Sequence, residues 1–115
     1  MLKMITIDAL RAYGANVDEG LRRCMNMEAF YLKLFGSLKG DTRVDDLKAA
    51  VARKDLDAAF EAAHALKGIY GNLSLTPLYE PVCRITELLR SRTDTDYTPL
   101  LEEISAQKEK LDALL

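Results

Sequence analysis

Apolar residues recur three or four positions apart along almost the whole chain, and nowhere do they alternate with polar ones as a half-buried strand requires. Ala9, Leu10 and Tyr13 predict a short opening helix after Thr6, ended by Gly14. Asn16 followed by Glu19 has the spacing of a capping box, and Val17, Leu21, Cys24 and Met25 continue the period to a break at Asn26. The clearest stripe comes next. Met27, Phe30, Tyr31, Leu34, Phe35 and Leu38 predict a helix that faces a core, closed by Gly40 and Asp41.

Thr42 is placed to cap a fourth helix carrying Val44, Leu47 and Val51, with Arg53 and Lys54 at its C-terminal end. Asp55 restarts the pattern. From Leu56 to about Leu73 the chain reads as one long helix, although Gly68 and Gly71 inside it each cost up to about 1 kcal/mol relative to alanine. Thr76 and Pro77 suit the N-cap and first turn of the next helix, which carries Leu78, Val82, Ile85, Leu88 and Leu89, with Pro81 placed to bend its first turns. A last helix after the polar stretch 91–96 holds Leu100, Leu101, Ile104, Leu111, Leu114 and Leu115. Short connections between amphipathic helices favour antiparallel neighbours. The expected fold is therefore all-α, an up-down antiparallel four-helix bundle with short N-terminal capping helices, as a single domain over residues 1–115.

Composition narrows the function more than the fold. The chain has 115 residues, 49% hydrophobic and 30% charged, enough for one core without a disulfide or structural metal. A formal charge of −2 leaves no electrostatic footprint for a phosphate backbone, so no nucleic-acid partner is expected. Cys24 and Cys83, with a single histidine to join them, are too few for a Cys/His zinc site and are expected to be free, and no metal site is expected. The N-terminal apolar stretch is too short for a signal peptide and charges interrupt every later one, which predicts a cytoplasmic chain without membrane association. Met1 favours a free-standing protein. Met1, Met4, Met25 and Met27 are expected to fill the core and its N-terminal cap. Asp45-Asp46 and Glu102-Glu103 diverge by about 100° on a helix and are read as solvated faces rather than acid/base or magnesium groups. The chain lacks a P-loop and a kinase-type glycine loop, so neither ATP binding nor an enzyme activity of its own is expected.

The one histidine, His64, lies in the middle of the glycine-containing helix. On a wheel of about 100° per residue, Ala62, Leu66, Ile69 and Leu73 fall opposite it, so His64 is expected to face outward. Phe60, Gly68, Gly71 and Leu75 all fall within about 40° of it. Packing glycines would point to the core; these point away, and a bald strip with apolar rims at Phe60 and Leu75 predicts a surface where a partner approaches closely. Lys67, one turn along, can reach a group attached to the imidazole and neutralise an attached phosphoryl group.

With those residues assembled, Ala63-His64-Ala65-Leu66-Lys67-Gly68-Ile69-Tyr70-Gly71-Asn72-Leu73 resembles the signature of histidine-containing phosphotransfer (HPt) domains of bacterial multistep phosphorelays. His64, Leu66, Lys67, Gly68, Gly71 and Leu73 match it; Ser74 stands where the family usually has glycine, and Tyr70 replaces a small residue. The resemblance implies a four-helix bundle whose histidine takes a phosphoryl group from one receiver-domain aspartate and passes it to another. On that pattern His64 is the phosphoacceptor, Lys67 stabilises the phosphoryl group, and Phe60, Gly68, Gly71 and Leu75 meet the partner. The implied partners are response-regulator receiver domains and a hybrid sensor histidine kinase, met by a monomer with no cofactor of its own; Mg²⁺ is expected on the receiver only. The rival expectation is a non-enzymatic helical adaptor that binds through the same face. A small hydrolase lacks a nucleophile and base at usable spacing.

Overall fold

A computed structural model describes residues 5–38 and 40–115. It contains helices α1 (Ile7–Tyr13), α2 (Val17–Arg23), α3 (Glu28–Gly36), α4 (Arg43–Ala52), α5 (Leu56–Asn72), α6 (Thr76–Arg90) and α7 (Thr98–Asp112), and no strand among the described residues.

The helix boundaries follow from side chains that satisfy orphan backbone groups. The Thr6 hydroxyl accepts the Ala9 N–H, the Asn16 amide oxygen accepts the Glu19 N–H, and the Asp55 carboxylate accepts the Ala58 N–H, while Gly14 ends α1 at φ 109°. Asn16 also donates its side-chain amide to the Glu19 carboxylate at 3.1 Å, but its backbone N–H goes to the Ser74 carbonyl, so only the first half of the expected box forms at α2. Two caps differ from expectation. Thr42 makes no side-chain cap; the nearby side-chain bond is from the Arg43 N–H to the Asp41 carboxylate, at 2.8 Å. At α6 the N-cap is Leu75, and Thr76 is already helical. The last helix ends at Asp112, so Leu114 and Leu115 lie beyond it.

Helix α5 packs between α4 and α6, α6 packs in turn on α7, and α7 also touches α4. Leu47, Ala59, Leu66, Tyr70, Leu78, Val82, Ile85, Leu89, Ile104 and Leu111 fill the space between them. The three N-terminal helices are tied to the turn between α5 and α6. Asn16 N–H donates to the Ser74 carbonyl at 2.9 Å and the Tyr31 hydroxyl to the Leu73 carbonyl at 3.0 Å, while Tyr13 reaches the Gln107 carbonyl of α7. Tyr31 needs the bare backbone of Gly20, where a Cβ would sit 2.6 Å from its ring. Burial pushes the Tyr31 phenol up to about 12.

The methionine expectation fails in part. Met25 is 82% exposed and Met27 58%, and Phe30 of the same stripe is 47% exposed. The physical reason is a phase reset: Met25 and Asn26 both take left-handed backbone, φ 56° and 58°, so α3 starts on a new wheel that turns Tyr31 and Phe35 inward. Met1 and Met4 lie outside the described residues. Cys24, buried, and Cys83, half-buried, are both free.

Candidate functional site

Helix α5 is long because its two glycines are outweighed by a continuous buried face. That face consists of Ala59, Ala63, Leu66 and Tyr70, continued by Leu73 just past the helix end. The inward direction is therefore rotated from the expected one: Ala62 and Ile69 are only half-buried, and Ala63 and Tyr70 take their place. Helices α4 and α6 flank α5 and set this rotation. Burial holds the Tyr70 phenol well above its ordinary range.

His64 remains on the far side, exposed, and hydrogen-bonds to no described residue. Its ring lies against Phe60, one turn earlier, with centroids 5.7 Å apart and planes inclined by 27°. A groove of about 410 Å³ runs past it, lined by His64, Lys67, Gly68 and Gly71 of α5, Thr76 and Tyr79 of α6, and Glu19 and Arg23 of α2. Lys67 extends toward α6, where its Nζ lies 3.7 Å from Glu87 Oε1, and the other Glu87 oxygen lies 3.4 Å from Arg90 Nε. Exposed pairs at these separations contribute little to stability, so the lysine is held loosely.

Gly68 is bare as expected: a Cβ there would meet nothing within 4 Å. Three other expectations for this face need correction. Gly71 is not open surface, because a Cβ would come within 3.1 Å of the Tyr79 ring on α6. Leu75 is wholly buried. Its wheel position assumed a helix running on, but α5 ends at Asn72 and left-handed Ser74, φ 54°, turns the chain inward, so that Leu75 N–H bonds back to the Tyr70 carbonyl. Phe60 is half-buried under two arginines, with the Arg90 and Arg92 guanidinium carbons 5.1 and 5.3 Å from its ring centroid. The paired carboxylates Asp45-Asp46 and Glu102-Glu103 are all exposed, as expected of solvated faces.

Several neighbours of His64 had no signal in the local pattern. Glu19 and Arg23 reach the groove through the folding of α2 onto the α5–α6 turn, and pair with each other at 2.8 Å. Tyr79 enters from the first turn of α6, and the Cys83 thiol beside its hydroxyl raises its pKa. Glu87 and Arg90 both arrive from the last turn of α6. Ser74 also lines the groove, and its buried hydroxyl has no partner among the described residues.

The Hpt domain family model matches residues 39–115, well over half of the chain and all of α4 to α7. The chain belongs to the Hpt family. No curated protein and no solved structure matches it. Hpt domains carry phosphoryl groups on histidine in the phosphorelays of two-component signalling, and the chain has a single histidine. Helices α1 to α3 precede the matched span, so Glu19 and Arg23 line the groove from outside it. No described helix is long and apolar enough to cross a membrane.

Proposed function

We propose that this Hpt domain accepts a phosphoryl group on His64 from the aspartyl phosphate of one receiver domain and delivers it to the aspartate of a second. The observation that carries the reading is the exposed imidazole at mid-helix, hydrogen-bonded to no described residue, with the bare backbone of Gly68 one turn away. A receiver's active site must close to bond-forming distance over the imidazole, and a side chain at Gly68 would stand in its way. In the transfer, the lone pair of the unprotonated ring nitrogen attacks phosphorus while the P–O bond to the aspartyl carboxylate breaks, its electron pair staying on the carboxylate. The other ring nitrogen keeps its proton. Return transfer to the second aspartate reverses these steps.

Lys67 stabilises the transferred group. A phosphoryl dianion is a stronger partner for its ammonium than Glu87 at 3.7 Å, so the lysine is free to change partners when the group arrives. The docking centre is His64, Gly68 and the free part of Phe60, without Leu75. Mg²⁺ belongs to the receiver, and the chain itself needs neither ATP nor cofactor. The sequential packing of α4 to α7 supports an up-down antiparallel four-helix bundle in one domain over residues 1–115. We read the protein as a cytoplasmic monomer between a hybrid sensor histidine kinase and a response regulator.

The experiment is labelling from a phosphorylated receiver domain with Mg²⁺. An acid-labile, base-stable phosphate is expected on the wild type and absent from His64→Gln, whose stability should stay within about 1 kcal/mol because the side chain is exposed, hydrogen-bonds to no described residue and loses only its contact with Phe60. Label surviving in His64→Gln, or no label on the wild type, would sink the reading and leave an adaptor.

A further inference from the structure

We propose that Phe60 is a positioning residue for the His64 imidazole, held in place by Arg90 and Arg92, and that it sets the rate of phosphoryl transfer; the inference rests on His64 being the acceptor. An exposed histidine in mid-helix is free to sample rotamers, and only some of them present a ring nitrogen to an incoming group. Helical side chains lean toward the N-terminus, so the imidazole tilts onto the residue one turn earlier, which here is a phenylalanine. The two rings meet at 5.7 Å and 27°, within the range of offset stacking.

Phe60 is itself fixed from a second helix. Both guanidinium groups stand over its ring at 5.1 and 5.3 Å, distances at which the electron-rich face attracts a cation. Arg92 is the better anchored of the two. It pairs with Asp57 of α5 at 2.7 Å and donates to the Leu89 and Arg90 carbonyls, from a left-handed backbone at φ 49°. A non-glycine residue keeps that conformation only when its surroundings enforce it. Arg90 is braced by Glu87, the same carboxylate that holds Lys67. The contacts thus close a ring through His64, Phe60, Arg90, Glu87 and Lys67, across two helices. Phe60 also packs, half-buried, against the edge of the core.

The test uses potassium phosphoramidate, which phosphorylates imidazole directly by losing ammonia as its P–N bond breaks, and so needs no partner protein. Phosphohistidine formation is followed by phosphorus NMR, and the His64 ring protons by proton NMR, in the wild type, Phe60→Leu and Phe60→Tyr. Phe60→Leu should move the ring-proton resonances by loss of the aromatic ring current and slow labelling about tenfold, as expected for a displaced nucleophile. Phe60→Tyr keeps an aromatic ring and should label within about twofold of wild type. Equal rates for Phe60→Leu and wild type overturn the inference alone, whatever the resonances do, as does a Phe60→Tyr variant as slow as Phe60→Leu. A wild type that takes no label overturns the phosphotransfer reading and the inference with it.

Discussion

The stripe of α5 that carries His64 divides at Gly68. On the N-terminal side, Phe60, His64, Lys67 and Gly68 keep at least partial access to solvent, and the missing side chain at Gly68 faces open space. On the C-terminal side, Gly71 lies under the Tyr79 ring and Leu75 is in the core. All six fall within a stripe about 100° wide on an uninterrupted helix, with both ends of it represented before Gly71, so the difference does not come from periodicity. It comes from the α5–α6 turn, which ends the helix at Asn72 and folds α6 back across the last turn of α5. Two glycines at helical spacing thus differ: one faces open space, the other leaves room for a neighbouring ring.

The sharpest way to break this comparison is Leu75→Ala. A fully buried leucine should cost about 2–5 kcal/mol on truncation, whereas one exposed at a docking surface would cost within about 0.5 kcal/mol. Denaturant unfolding separates the two outcomes, and a loss below about 1 kcal/mol would return Leu75 to the surface.

A second measurement concerns the buried side of α5. Burial raises the Tyr31 and Tyr70 phenols above 10.0, so above that pH the unfolded chain releases protons that the folded chain retains. The unfolded state then binds fewer protons, and stability must fall as pH rises, by up to about 1.4 kcal/mol per pH unit for each such group. Their contribution is complete below pH 10.0, and that of Tyr31 is lost between there and about 12. Chemical denaturation from pH 8 to 11.5 should show the decline, and Tyr70→Phe should flatten it by about one proton. A slope unchanged in that variant would mean that Tyr70 is solvated like His64.

The smallest effect bears directly on the two glycines. Gly68→Ala should stabilise by up to about 1 kcal/mol, since alanine favours the helix and its methyl meets nothing. Gly71→Ala should stabilise less, because its methyl would stand 3.1 Å from the Tyr79 ring, which must shift to admit it. Equal gains in thermal midpoint would erase the distinction between the two positions.

Much of this was legible locally. The caps at Thr6, Asn16 and Asp55, the stop at Gly14 and the outward-facing His64 all follow from interactions within four residues, which a sequence displays directly. The signature from His64 to Leu73 carried the resemblance that the family match over residues 39–115 then bore out. The exposed Met25 and Met27 were misread for a local reason, the left-handed pair at Met25 and Asn26: asparagine favours that backbone and marks the break, but methionine gives no sign of it.

What the chain alone determined, then, is where most helices start and that the histidine stands on the outward side of α5, because these depend on spacing along one helix. Only the tertiary structure decided what stands beside that histidine. Arg90 and Arg92 over Phe60, Glu87 against Lys67, Tyr79 over Gly71 and Arg23 in the groove all come from other helices or, for Arg92, from the turn after α6. Their placement depends on the angle and register at which α2 and α6 meet α5, and those are set by packing many buried side chains at once, a property that no single stretch of sequence possesses.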